Sequence, residues 1–176
     1  AYVFAKENYA ALRYPSGKSY LIHALEVAVN FVRFYNYTFT DREMPSDLPI
    51  VACLLHDLDT DLLRSTFKRG HIIGRAKLDV GGLLSWIEIM NQIVNLPYLL
   101  SPASAHGAYN YMNMVLQLSG SPELMLAVFA ERIVSLEDVL EKQRDYLVSE
   151  LQELYIPLAE RLGLHLVSSE LADWLF

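Results

Sequence analysis

Two adjacent side chains in this sequence could hold a metal ion. His56 and Asp57 follow the apolar run Ile50-Val51-Ala52-Cys53-Leu54-Leu55. An imidazole nitrogen and a carboxylate oxygen at a helix end can both reach one divalent cation. On its own the pair also reads as a surface histidine beside a helix-terminal acid. His23, flanked by Ile22 in an apolar segment, is either a hydrogen-bonded core histidine or a further ligand. Glu131 lies in the apolar segment Leu126-Ala127-Val128-Phe129-Ala130-Glu131-Arg132-Ile133. A buried carboxylate is rare unless it is paired or bound to metal. The plainer alternative is a solvated Glu131–Arg132 face.

These residues must be positioned by helices. Apolar spacing at the helical period predicts helices over 1–14, 19–35, 80–95, 105–119, 122–136 and 138–162, the last stopping at Gly163. Residues 50–58 form a short apolar segment, and 36–49 read as a loop with Ser46 or Asp47 as a cap. Pro122 suits the first turn of its helix. The segment 64–77 reads as basic and irregular, and 167–176 as a final helix capped by Ser168 or Ser169. No segment alternates strictly enough to argue for a sheet, so the fold class is all-α.

The 176 residues suit one domain, 53% hydrophobic and 20% charged. A net charge of −7 argues against DNA binding, which needs a positive face. No uncharged apolar stretch is long enough to span a membrane. The one cysteine, Cys53, reads as a small core residue, and the lack of a disulfide framework fits a reducing, cytoplasmic setting. Both ends read as cut from a longer chain.

Three stretches carry a family resemblance. Ser16-Gly17-Lys18-Ser19-Tyr20-Leu21-Ile22-His23-Ala24-Leu25-Glu26-Val27-Ala28 resembles the RelA/SpoT segment SGEPYIxHPxxVA. Ala52-Cys53-Leu54-Leu55-His56-Asp57 resembles AALLHD. Tyr155 to Leu164, followed by Ser169 to Phe176, resembles YAPLAxRLGIxxxxxELEDLAF. The resemblance spans almost the whole chain. It implies a multi-helix HD phosphohydrolase fold with a divalent metal, manganese(II), that acidifies water and neutralises phosphate charge. The implied reaction removes the 3′-pyrophosphate of the guanosine alarmone (p)ppGpp. The implied partner is a covalently linked synthetase domain.

Carried over by position, the resemblance makes His23, His56, Asp57 and Glu131 the metal ligands and Asp61 the group handling water or a proton. Glu131 stands where the family has aspartate, one methylene shorter. Substrate contacts fall to Arg13 and Ser135. Several family cations are replaced, by Tyr14-Pro15, by Ile93 within Asn91-Gln92-Ile93-Val94 and by Asn113, and Thr60 stands at the first of two acidic positions. Each lost charge-assisted contact costs about 1.5–3 kcal/mol, which predicts weak or altered alarmone hydrolysis. The basic residues Arg64, Lys68, Arg69, Arg75 and Lys77 form either a solvated loop or a compensating phosphate contact. Three functions remain: an active pyrophosphohydrolase, a degenerate HD domain that regulates a synthetase, or an HD hydrolase for a different phosphorylated metabolite such as a related nucleotide.

Overall fold

The computed structural model describes residues 1–44, 46–68, 79–95, 105–138 and 144–175. The elements are α1 (Tyr2–Tyr9), α2 (Tyr20–Thr38), α3 (Leu48–Leu55), α4 (Thr60–Lys68) and α5 (Val80–Asn95). They continue with α6 (Ala105–Ser119), α7 (Pro122–Leu136) and α8 (Arg144–Glu150). A π-helical turn, Leu151–Tyr155, leads into α9 (Ile156–Arg161), and α10 (His165–Asp173) ends the chain. Among the described residues there is no strand, only one antiparallel bridge, Arg13–Ser19. The all-α expectation is borne out.

Helix α7 forms the centre. Met125 through Arg132 are all buried, so its apolar surface is continuous around the helix and not confined to a stripe. It packs most extensively against α2, which also covers α3, while α5 closes over α3 and α7. Its start is set by sequence: Pro122 sits in the first turn, and the Ser121 hydroxyl accepts from Leu124 N–H at 3.1 Å. Ser121→Ala should therefore cost about 1 kcal/mol in urea denaturation, and an unchanged midpoint would show that the cap contributes nothing.

Beside Phe129, Arg132 is 3% exposed. Its guanidinium donates to Val94 O at 3.0 Å and to the Tyr155 hydroxyl at 2.7 Å, and lies 3.5 Å from Glu150. A solvated Glu131–Arg132 face is thus excluded, because both side chains are interior.

Four expectations need correction. Helix α1 stops at Tyr9, not near residue 14, because Leu12 N–H turns back to Tyr9 O and Tyr20 N–H then pairs with Leu12 O. The basic segment is helical over its first five residues, 64–68, within α4. Residues 69–78 lie outside the described residues. The helix expected over 138–162 is described from Arg144 and contains the π turn, where Ile156 N–H reaches Leu151 O. Pro157 explains the widening: it lacks an N–H, and its ring crowds the carbonyl four residues back. The last helix starts at His165 without a side-chain cap, and the Ser168 hydroxyl donates back to His165 O. At the start of α3, Asp47 holds the cap position without a side-chain bond, and the Ser46 hydroxyl accepts from Leu48 N–H.

Candidate metal centre

Three separate helices deliver the predicted residues to one point. His23 lies in the first turns of α2, whose cap Ser19 accepts from Leu21 N–H at 3.3 Å. His56 and Asp57 leave the end of α3, and Glu131 comes from the middle of α7. Glu131 Oε2 lies 2.8 Å from His23 Nε2 and 3.0 Å from His56 Nε2. Asp57 Oδ2 lies 3.5 Å from His56 Nε2 and 4.0 Å from His23 Nε2. Candidate ligand atoms of His23, His56 and Asp57 all fall within 4.8 Å of one another. Both imidazoles and Glu131 are buried.

Each of these side chains is oriented by a second contact. His56 Nδ1 is 2.8 Å from Cys53 O, to which it donates, so Nε2 faces the cluster. His23 Nδ1 lies 3.4 Å from Asp138 Oδ2. The Ser135 hydroxyl donates to Glu131 Oε1 at 2.5 Å, leaving Oε2 for the imidazoles. Tyr14 donates to Asp57 Oδ2 at 2.5 Å. Asn91 fixes the turn after α3 by donating to His56 O at 2.8 Å. An imidazole held through its other nitrogen is the usual arrangement of a metal ligand.

The donor set fits a divalent cation. Two nitrogens and two carboxylates suit a borderline or hard divalent ion. His56 Nε2 also has no hydrogen-bond partner among the described residues, since the nearby Glu131 oxygen lies off the direction a bond requires. Burial disfavours charge on His56, but Asp57 and Glu131 outweigh it and push the imidazole up to about 9. His23 is raised too: burial opposes its charge, and the Glu131 hydrogen bond with the Glu131 and Asp57 charges overcomes that. Glu131 is held well below the carboxylate range, because the two imidazoles outweigh its burial. Burial pushes the Cys53 thiol up, which fits an inert core residue.

A cavity of about 360 Å³ opens beside the cluster, lined by His56, Asp57 and Glu131 with Tyr14, Asn91, Asn95, Arg132, Ser135 and Asp138 among its walls. Ser135 is on that wall, with its hydroxyl engaged by Glu131. Arg13 is exposed, absent from the cavity lining, and its guanidinium donates to Leu12 O at 2.7 Å. Asp61 sits exposed in the first turn of α4, also outside that lining. Arg64 pairs with Glu88 at 2.7 Å. The rest of the basic segment, from Arg69 on, lies outside the described residues. Sequence reasoning missed Tyr14, Asp138 and Asn91. It treated Tyr14 only as a lost cation and Asn91 only as part of a stretch that lacks a family lysine, and nothing in the local sequence pairs Asp138 with His23.

A model of the HD-domain family matches residues 1–165. The guanosine-3′,5′-bis(diphosphate) 3′-pyrophosphohydrolase of Aquifex aeolicus is 30% identical over 181 residues, which covers all of this chain and 23% of that protein. The GTP pyrophosphokinase of Myxococcus xanthus is 25% identical and the GTP pyrophosphokinase rsh of Brucella suis 26% identical, each over 179 residues. The chain spans 22–23% of the length of these relatives. With the helical fold and the histidine–aspartate cluster in place, the chain belongs to the HD-domain family, as an HD domain of the RelA/SpoT type.

Proposed function

We propose that this domain is a metal-dependent phosphohydrolase that converts guanosine-3′,5′-bis(diphosphate) and water to GDP and pyrophosphate. One observation carries the reading: His23, His56, Asp57 and Glu131 converge at hydrogen-bonding to near-contact distances, with His56 Nε2 left without a hydrogen-bond partner among the described residues. The name of the Aquifex aeolicus relative supports the substrate. The four residues would hold manganese(II), which supplies an acidified water and neutralises charge on phosphate oxygens. Ser135 keeps Glu131 turned toward the imidazoles, and Asn91 holds the turn that carries His56 and Asp57. The cavity wall receives the nucleotide, with Arg13 reaching it only by leaving its main-chain carbonyls. A linked synthetase domain is the partner, a reading supported by the relatives named GTP pyrophosphokinase and by their greater length. The buried single thiol supports a reducing, cytoplasmic setting.

The test is incubation of the chain with the nucleotide in manganese(II) or in EDTA, with products separated by chromatography. GDP and pyrophosphate should form only with the metal. A folded, metal-loaded chain that leaves the nucleotide intact would establish the regulatory function instead. Asp61→Asn should keep metal affinity and lower turnover by about a hundredfold if Asp61 handles the proton. Unchanged turnover would remove Asp61 from the chemistry, and lost metal would make it a ligand.

A further inference from the structure

Tyr14 is held from several sides at once. Its N–H donates to Lys18 O at 2.9 Å, and its carbonyl accepts from Gly17 N–H at 2.8 Å. The turn this closes puts Gly17 at φ +89, a left-handed conformation that glycine adopts without strain. The Tyr14 ring stacks on Tyr20, with centroids 4.0 Å and planes 10° apart. Tyr20 opens α2, three residues before His23. At the far side of the turn, Lys18 pairs with Glu26 at 2.6 Å, Glu137 at 3.2 Å and Asp138 at 3.5 Å. The turn is thereby tied to α2 and to the residues that follow α7.

From this frame the phenol donates to Asp57 Oδ2, the oxygen that faces both imidazole Nε2 atoms. We propose that Tyr14 is a positioning residue of the metal centre, whose hydroxyl selects and fixes the Asp57 oxygen offered to the cation. The inference rests on the metal reading above. A carboxylate just past a helix end has rotational freedom about its side-chain bonds, and a single donor removes it before the cation arrives. A neutral phenol can only donate to a carboxylate, so the contact leaves further lone pairs of Oδ2 available. Partners of this kind govern both the affinity and the geometry of a metal site.

Tyr14→Phe removes the donor and keeps the stacked ring. Cobalt(II) alone is titrated into the wild-type, Tyr14→Phe and His56→Ala chains, followed by calorimetry and visible absorption. Tyr14→Phe should bind about 10–100-fold more weakly than wild type, with a shifted absorption band at saturation and an unchanged melting temperature in EDTA. Equal affinity and an identical band would overturn the role of Tyr14 and leave the metal reading intact. Weaker binding with an unchanged band, or a matching loss of melting temperature in EDTA, would make Tyr14 merely structural and overturn the proposal. A wild-type chain that takes up no cobalt(II) would overturn the metal reading, and this inference with it.

Discussion

His56→Ala should abolish divalent-metal binding, and nucleotide turnover should fall to background. His56 is the side chain with the least other use for its reactive nitrogen. Nδ1 is committed to Cys53 O, while Nε2 has no hydrogen-bond partner among the described residues and lies within 3.5 Å of oxygens from both Asp57 and Glu131. Removing the ring deletes one of two neutral nitrogen donors and leaves mainly carboxylates, which hold a borderline cation less selectively. It also takes one positive partner from buried Glu131. Breaking a buried ion pair by deleting one member costs about 3–5 kcal/mol. The variant should therefore melt earlier than wild type even in EDTA while keeping a helical circular dichroism spectrum. Calorimetric titration with manganese(II) checks the first effect and thermal melts the second. Retained metal affinity in His56→Ala would exclude His56 as a ligand.

The second large effect is a pH dependence of the metal-free domain that bound metal opposes. In the metal-free domain His56 is raised from its ordinary 6.5 to about 9, so its contribution to stability is complete below pH 6.5 and is lost as pH rises through 9. That shift corresponds to about 3 kcal/mol. His23 is raised as well and adds to the loss in the same direction. Glu131 is lowered, so its contribution is present above its ordinary 4.5 and disappears only as pH falls through its much lower folded value. Stability from this cluster in EDTA should thus be greatest between about pH 4.5 and 6.5 and should decline toward pH 9. Bound metal needs the imidazoles unprotonated. The stabilisation due to manganese(II), read as the difference in Tm with and without metal, should grow over that same window. A difference in Tm that is flat from pH 6.5 to 9 would show that protons and metal do not compete for these nitrogens.

Much of the architecture was legible because burial imposes periodicity. Helices α5 and α7 fall where the apolar spacing places them, and Ser121-Pro122 marks the start of α7 by a cap and a residue that needs no N–H partner. The same signal failed over 1–14. Leu12 matches the helical period but is 44% exposed, because the chain reverses there to build the turn under Tyr14, and Val3, although inside α1, is 65% exposed. The π turn was hidden because Pro157 is compatible with an uninterrupted apolar pattern, and only the backbone reveals how the helix absorbs it.

Within the site, the types and surroundings of His23, His56, Asp57 and Glu131 were informative, since charged or polar groups among apolar neighbours demand partners. The residues that orient them were not. Asp138 reaches His23 from 115 positions away and Tyr14 reaches Asp57 from 43, and no local pattern encodes such pairings. Asn91 illustrates a different failure. Read only as the first residue of a stretch that lacks the family's lysine, it serves as the donor that fixes His56 O.

The most direct test is a crystal structure grown with manganese(II), with anomalous data collected to locate the ion. The account predicts one strong anomalous peak within bonding distance of His23 Nε2, His56 Nε2, Asp57 Oδ2 and Glu131 Oε2, with the His23–Glu131 contact opened to admit it. A crystal in which His23 and Glu131 keep their direct hydrogen bond, and in which no peak lies between the two imidazoles, would contradict it.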